Sequence, residues 1–116
     1  MRPPVLLLIS VDSGTKPLLE QALDNRQTTI LTTATTEEGL RILKDRTDLG
    51  LVLCDESQGR IASQVILAQA RRTDHSLPVI ILGTDGSAKA AVEALHHGAT
   101  DYLAQPVTMK DLQTAI

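Results

Sequence analysis

Apolar residues recur along this chain in short continuous runs, and longer amphipathic stretches lie between the runs. A short continuous apolar run predicts a strand that is covered on both faces, as in a parallel sheet between layers of helices. Residues 29–32 mix polar and apolar side chains, which favours a strand near the sheet edge. The predicted strands are residues 5–9, 29–32, 49–54 and 79–82, with a short fifth strand at residues 102–104.

The stretches between the predicted strands carry apolar residues at intervals of three and four, which is the period of an amphipathic helix. Residues 35–38 form a capping box, and Ser87 and Thr108 are predicted N-caps. Pro17 suits the first turn of a helix, and Gly98 predicts a helix end. The predicted apolar helix faces are Leu18, Leu19, Ala22 and Leu23; Leu40 and Leu43; Ile61, Val65, Ile66 and Ala70; and Ala91, Val92, Ala94 and Leu95.

Five strands that alternate with five helices predict an α/β fold with a doubly wound parallel sheet, because right-handed crossovers place helices on both faces. For a chain of this size we expect the flavodoxin-like strand order 2-1-3-4-5, with any functional site beyond the carboxyl ends of the strands. The residues that follow the first, third, fourth and fifth strands are Ser10, Val11 and Asp12; Asp55 and Glu56; Gly83 and Thr84; and Gln105 and Pro106.

Composition narrows the class of protein. The length of 116 residues suits one domain, and 42% apolar with 22% charged residues is typical of soluble globular proteins. The net charge of −3 and the scattered basic residues predict no direct contact with nucleic acid. No apolar run is long enough for a membrane helix or signal peptide, so a cytoplasmic location without membrane contact is expected.

The cysteine and aromatic content of the chain restricts its function further. The single cysteine, Cys54, excludes an internal disulfide and lies in an apolar run, so it is predicted to be a small buried residue. Tyr102 is the only aromatic residue, which argues against a function that depends on aromatic stacking. The chain stops at Ile116 inside a helical pattern, so residues 1–116 are expected to be one domain of a longer protein.

Three segments resemble the receiver domain of bacterial two-component response regulators. They are residues 51–55, residues 77–82 and residues 98–106, the last of which is similar to the family pattern G-A-x-D-Y-L-x-K-P. The resemblance extends over essentially the whole chain. It implies that residues 1–116 are the N-terminal part of a signalling protein with an attached output domain, and that a sensor histidine kinase is a candidate partner.

The resemblance places the phosphoryl-acceptor aspartate of the family on Asp55. In the family, Mg²⁺ is held by an acidic pair after the first strand together with the acceptor aspartate. The metal ion offsets the negative charge that the phosphoryl group brings to the carboxylate. The acidic pair falls on Ser10 and Val11, which supply no carboxylate. Asp12 would reach the metal only after a one-residue shift of the strand end. We therefore expect a weak or absent Mg²⁺ site at Asp55 and Asp12 and no other cofactor.

The family's other functional positions are also altered. A threonine or serine that bonds the phosphoryl group is replaced by Gly83, with Thr84 beside it. The lysine before the proline is replaced by Gln105, which can donate hydrogen bonds but has no charge. Tyr102 matches the switch aromatic that turns inward when the hydroxyl residue moves, but Gly83 removes the polar half of that coupling.

These departures predict an atypical receiver that regulates its output domain by protein contact and is not an enzyme beyond self-phosphotransfer to Asp55. One alternative is a working Mg²⁺-dependent acceptor in which Asp12 and Glu56 serve as substitute ligands. Another is a flavodoxin-like cofactor binder that uses residues 10–15, although Asp12 would repel a phosphate and no aromatic pair could hold a flavin. A homodimer is expected through the fourth helix, fifth strand and fifth helix, at a surface containing Ala91, Leu95, Tyr102, Val107 and Leu112.

Overall fold

The structure, a computed structural model, describes residues 5–11, 14–23, 28–56, 59–84 and 86–115. Strands and helices alternate along these residues, and no predicted strand bound differs from the observed one by more than one residue. The elements are β1 Val5–Ile9, α1 Thr15–Ala22, β2 Thr29–Thr33, α2 Thr36–Asp45, β3 Leu49–Asp55, α3 Arg60–Thr73, β4 Val79–Gly83, α4 Ala88–His96, β5 Asp101–Ala104 and α5 Met109–Ala115.

The strands form one five-stranded parallel sheet in the order β2-β1-β3-β4-β5, which confirms the predicted topology. Ile9 pairs with Cys54, so the residue after β1 lies beside the last residue of β3. Gly83 pairs with Ala104, which places the residue after β5 at the same edge. Parallel register therefore collects four strand ends from distant parts of the sequence at one edge of the sheet.

The core has two layers because alternate side chains of a strand point to opposite faces of the sheet. Leu7 and Ile9 of β1 belong to the cluster that packs beneath α2, α3 and α4. Leu6 and Leu8 belong to the opposite cluster, which includes residues of α1 and α5. All five residues of β1 and all five of β4 are buried, as the continuous apolar runs predict.

The predicted helix caps are present. The side chains of Thr35, Ser87 and Thr108 each accept a hydrogen bond from a backbone N–H three residues later. The capping box is only half formed, because the Glu38 carboxylate accepts a hydrogen bond from Thr33 Oγ1 at 3.1 Å. Gly98 has a φ of +105° after α4, which confirms it as the residue that ends this helix.

The apolar faces predicted for α3 and α4 are only partly buried. Ile61 is 78% exposed and Val65 is also exposed, whereas the buried side of α3 consists of Ser63, Ile66, Leu67 and Ala70. In α4, Ala90 and Ala94 are buried, and Val92 and Leu95 are about half exposed. Both helices carry apolar residues over a wider arc than the sheet can cover, so the pattern alone did not identify the buried side.

Leu112 was also misplaced by the sequence interpretation. It was expected on an exposed surface of the fourth helix, fifth strand and fifth helix, but its side chain is 0% exposed. It packs in the core cluster shared by α1 and α5. The short helix α5 thus uses Leu112 as its buried anchor rather than as a contact residue.

Candidate functional site

The carboxylate of Asp55 lies at the carboxyl end of β3 and is only 6% exposed. Ser10 Oγ donates a hydrogen bond to Asp55 Oδ2 at 2.9 Å. Gln105 Nε2 donates to Asp55 Oδ1 at 3.0 Å and to the carbonyl oxygen of Leu82 at 3.1 Å. Each oxygen of the acceptor-position carboxylate therefore accepts a hydrogen bond from a neutral side chain.

The backbone holds both donors in place. The N–H of Ser10 donates to the carbonyl of Thr33 at 2.9 Å, which continues the β1–β2 pairing past the strand end. The N–H of Gln105 donates to the carbonyl of Gly83 at 2.8 Å, which continues the β4–β5 pairing past the end of β5. The sequence interpretation read Ser10 only as a missing carboxylate, although a hydroxyl beside a buried aspartate is a signal for a donor.

Glu56 is a second buried carboxylate, directly after Asp55, and it is 7% exposed. Tyr102 Oη donates to Glu56 Oε1 at 3.3 Å, and Ser63 Oγ lies 3.4 Å from Glu56 Oε2 while it also donates to the carbonyl of Arg60 at 2.8 Å. Glu56 is therefore a buried, hydrogen-bonded carboxylate and not a solvated one. Ser63 was missed as its partner, although a serine on the buried side of α3 is a signal for a buried acceptor.

Gly83 and Tyr102 are in close contact at the ends of β4 and β5. A Cβ atom built on Gly83 would overlap the hydroxyl and ring atoms of Tyr102. The tyrosine is partly buried and packs against the core cluster beneath α2, α3 and α4. Among the site residues, Gly83 thus provides space for an aromatic ring in place of a hydroxyl donor.

Thr84, the neighbour of Gly83, is exposed. It lines an open cleft of about 520 Å³ together with Gln105 and residues from the start of α1. Both Ser10 and Gln105 bond Asp55 through their side chains. Thr84 is therefore placed at the rim of the site, next to one of the two donors.

Cys54 is the third buried group at this strand end. Burial is the main cause that raises the pKa of its thiol from 9.0 to about 12, and the charges of Asp55 and Glu56 raise it further. The thiol accordingly stays protonated at neutral pH, which makes it a poor nucleophile. Its burial confirms the prediction that Cys54 is a small core residue.

The comparisons with known proteins agree with this geometry. The sequence model of the response regulator receiver domain matches residues 7–116. The chain is 32% identical over 115 residues to the transcriptional regulatory protein GlrR of Escherichia coli, covering 99% of this chain and 26% of that protein. It is 32% identical to the transcriptional regulatory protein AfsQ1 of Streptomyces coelicolor, covering 97% of this chain and 49% of that protein.

A solved structure of a receiver domain protein is also similar to this chain. The crystal structure of a response regulator receiver domain protein from Clostridium thermocellum superposes with a TM-score of 0.80 at 28% identity, covering 97% of this chain and 90% of that one. Fold, site and sequence together define a signal-transduction domain with an aspartate at the end of β3. The chain belongs to the receiver domain family of two-component response regulators. It spans about a quarter of the length of GlrR.

Receiver domains are phosphoryl acceptors that bind Mg²⁺ at the phosphorylation site, but the residues that the structure describes do not fit that ion. No group of three or more histidine, cysteine, aspartate or glutamate side chains among them could hold a metal. Asp55 accepts hydrogen bonds from neutral donors, and Glu56 is directed at Tyr102 and Ser63. Asp12 lies outside the described residues, so a weak Mg²⁺ site shared by Asp12 and Asp55 stays a prediction.

None of the helices within the described ranges is long and apolar enough to cross a membrane.

Proposed function

We propose that this receiver domain regulates an attached output domain by protein contact, without ordinary phosphorylation of Asp55. The observation that carries the proposal is the pair of neutral donors, Ser10 and Gln105, on the two oxygens of Asp55. The relatives that the chain matches are longer transcriptional regulatory proteins, which supports an output domain in the full protein.

The chemistry of phosphoryl transfer supports this reading. An attacking carboxylate oxygen must be accessible, and cations must offset the charge on the phosphoryl oxygens. Here both oxygens of the buried Asp55 carboxylate already accept a hydrogen bond, and the donors Ser10 and Gln105 carry no positive charge to offset a phosphoryl group. Charge-assisted hydrogen bonds are roughly twice as strong as neutral ones, so Gln105 stabilises a phosphoryl oxygen less than a lysine would.

The test is phosphorylation of the purified chain by acetyl phosphate in millimolar Mg²⁺, followed by intact mass spectrometry. We expect no increase by the mass of one phosphoryl group, because each missing cation or donor costs on the order of 10²-fold or more in rate. The matched variant carries Ser10→Asp, Val11→Asp and Gln105→Lys together, and we expect it to be modified.

Asp55→Asn in the triple variant is the control that assigns any modification to Asp55. Stoichiometric modification of the unaltered chain would overturn the proposal. It would favour the alternative of a working acceptor that uses Asp12 and Glu56 as metal ligands, and with it a sensor histidine kinase as partner.

For the contact surface, we propose α4, β5 and the loop before α5. Leu95 is 47% exposed, and Val92 next to it on α4 is also exposed. Val107 follows β5, which is an edge strand with one side open for pairing. A homodimer through this surface is the simplest arrangement, because a two-fold contact uses the same patch on both copies.

A further inference from the structure

The glycine at the end of β4 has a role that its backbone conformation does not explain. Glycine is usually required where the backbone φ is positive, but among the described residues the glycines with a positive φ are Gly59 and Gly98. What Gly83 provides is the absence of a side chain. A Cβ atom at this position would overlap the hydroxyl and the ring of Tyr102, so the ring occupies the space that any other residue would fill.

A second contact holds the same ring from the other side. Tyr102 Oη donates to Glu56 Oε1 at 3.3 Å, across 46 positions of sequence. Glu56 is itself held, because its backbone carbonyl accepts the N–H of Gly59 at 2.8 Å. The Ser63 hydroxyl, which also donates to the carbonyl of Arg60, lies 3.4 Å from the other carboxylate oxygen of Glu56. Moving the ring outward would remove a donor from a buried carboxylate and leave a void over Gly83, and both changes are unfavourable.

We propose that Gly83 and Glu56 hold Tyr102 permanently in its inward position, so that its orientation does not depend on the chemical state of Asp55. Gly83 acts by leaving space and Glu56 by accepting the hydroxyl. Because Tyr102 lies in β5 beside α4, the surface of α4 and β5 then keeps a single conformation. This consequence rests on the proposed function, whereas the position of the ring does not.

The intrinsic fluorescence of the chain reports on the accessibility of the Tyr102 ring. The sequence contains one tyrosine and no tryptophan or phenylalanine, so its intrinsic fluorescence comes from Tyr102 alone. Quenching by acrylamide measures how accessible the ring is. For the unaltered chain we expect a quenching constant well below that of the same chain unfolded in urea. A folded chain whose constant equals the unfolded value would overturn the proposal.

The decisive variant is Gly83→Ala, in which the new Cβ excludes the inward ring. We expect its quenching constant to shift toward the unfolded value while the far-ultraviolet circular dichroism is retained. Gly86→Ala is the matched control, because a Cβ at Gly86 would meet only the Cβ of Ala104 at an ordinary 3.9 Å. A folded Gly83→Ala chain that quenches like Gly86→Ala would overturn the steric part of the proposal.

If Gly83→Ala does not fold, Glu56→Leu decides, because leucine is of similar size but cannot accept the Tyr102 hydroxyl. We expect a shift in the same direction, and an unchanged constant would overturn the proposal. The acetyl phosphate experiment separates the two hypotheses. Modified Asp55 with unchanged Tyr102 quenching contradicts the proposed function and leaves this inference standing. Absent modification with no effect of either variant contradicts this inference alone.

Discussion

The carboxylates of Asp55 and Glu56 are buried side by side, and burying a charge costs free energy unless its oxygens are hydrogen-bonded. Here the donors are the uncharged side chains of Ser10, Gln105, Ser63 and Tyr102. Among the described residues, no buried side-chain nitrogen or oxygen is left without a partner. Hydrogen bonds from uncharged side chains thus explain how the fold accepts two buried acids that are adjacent in sequence.

Cys54 leads to a prediction about alkaline stability. Its thiol has a pKa of about 12 in the folded chain against an ordinary 9.0, so the unfolded chain binds fewer protons within that window and stability falls as the pH rises through it. The slope from one such proton is about 1.4 kcal/mol per pH unit. We expect Cys54→Ala to have a shallower loss of stability, measured by urea unfolding at neutral pH and at several values within the window.

Other groups also titrate at alkaline pH, and the smaller side chain lowers stability at every pH. The two chains are therefore compared by how steeply the free energy of unfolding falls with pH, and not by its absolute value. Parallel pH profiles for the two chains would show that burial of the thiol does not contribute.

Some features of the helices depend on residues close in sequence, whereas others depend on packing against the sheet. Helix caps depend on residues three apart, and the hydroxyl caps of α2 and α4 are formed as the sequence predicts. The buried sides of the helices depend on the sheet beneath, which is why Ile61 and Val65 of the predicted apolar face of α3 are exposed. Small side chains matter most in α4, where Ala90 and Ala94 are the buried residues.

Removal of the α2 N-cap tests how much the stability of the fold depends on this local hydrogen bond. Thr35 Oγ1 accepts from the N–H of Glu38 at 3.2 Å, and Thr35→Ala leaves that N–H without its cap. We expect a loss of about 1 kcal/mol in the free energy of unfolding, measured in urea. Thr35→Ser keeps the hydroxyl and should retain most of the stability. Equal losses for alanine and serine would show that packing of the threonine methyl group, and not the cap, is responsible.

The two-layered core leaves apolar residues on two separate surfaces. Val92 and Leu95 are exposed on α4, near the edge strand β5. Ile61 and Val65 are exposed on the outer side of α3. Because α4 packs against β5, which carries Tyr102, a fixed tyrosine would stabilise one form of the α4 surface.

Oligomerisation tests the proposed contact surface. In sedimentation equilibrium we expect weak, concentration-dependent dimers that Leu95→Glu reduces, because the charge would have to be desolvated in the contact. Ile61→Glu is the matched control, since Ile61 is 78% exposed on another helix and its substitution should leave the dimers unchanged. Leu112→Glu is unsuitable, because this side chain is fully buried and the change would destabilise the fold. A strict monomer at high concentration would contradict the proposed homodimer.

The order of the strands and the residues at their ends could be predicted from the chain alone. Continuous apolar runs require cover on both faces, and parallel pairing then brings Ser10, Asp55, Gly83 and Gln105 to one edge. The resemblance to the receiver family also predicts from the chain alone that Ser10, Val11 and Gln105 stand where the family has an acidic pair and a lysine.

The partners of these side chains required the folded chain. Gln105 bonds Asp55 across 50 positions and Tyr102 bonds Glu56 across 46, and no periodicity encodes such pairs. The role of Gly83 likewise depends on a ring that belongs to another strand. Local patterns specify which faces of a strand are apolar and where a helix begins. The choice among several apolar sides of a helix, and among several donors for a buried carboxylate, depends on which groups the packed layers bring within contact distance.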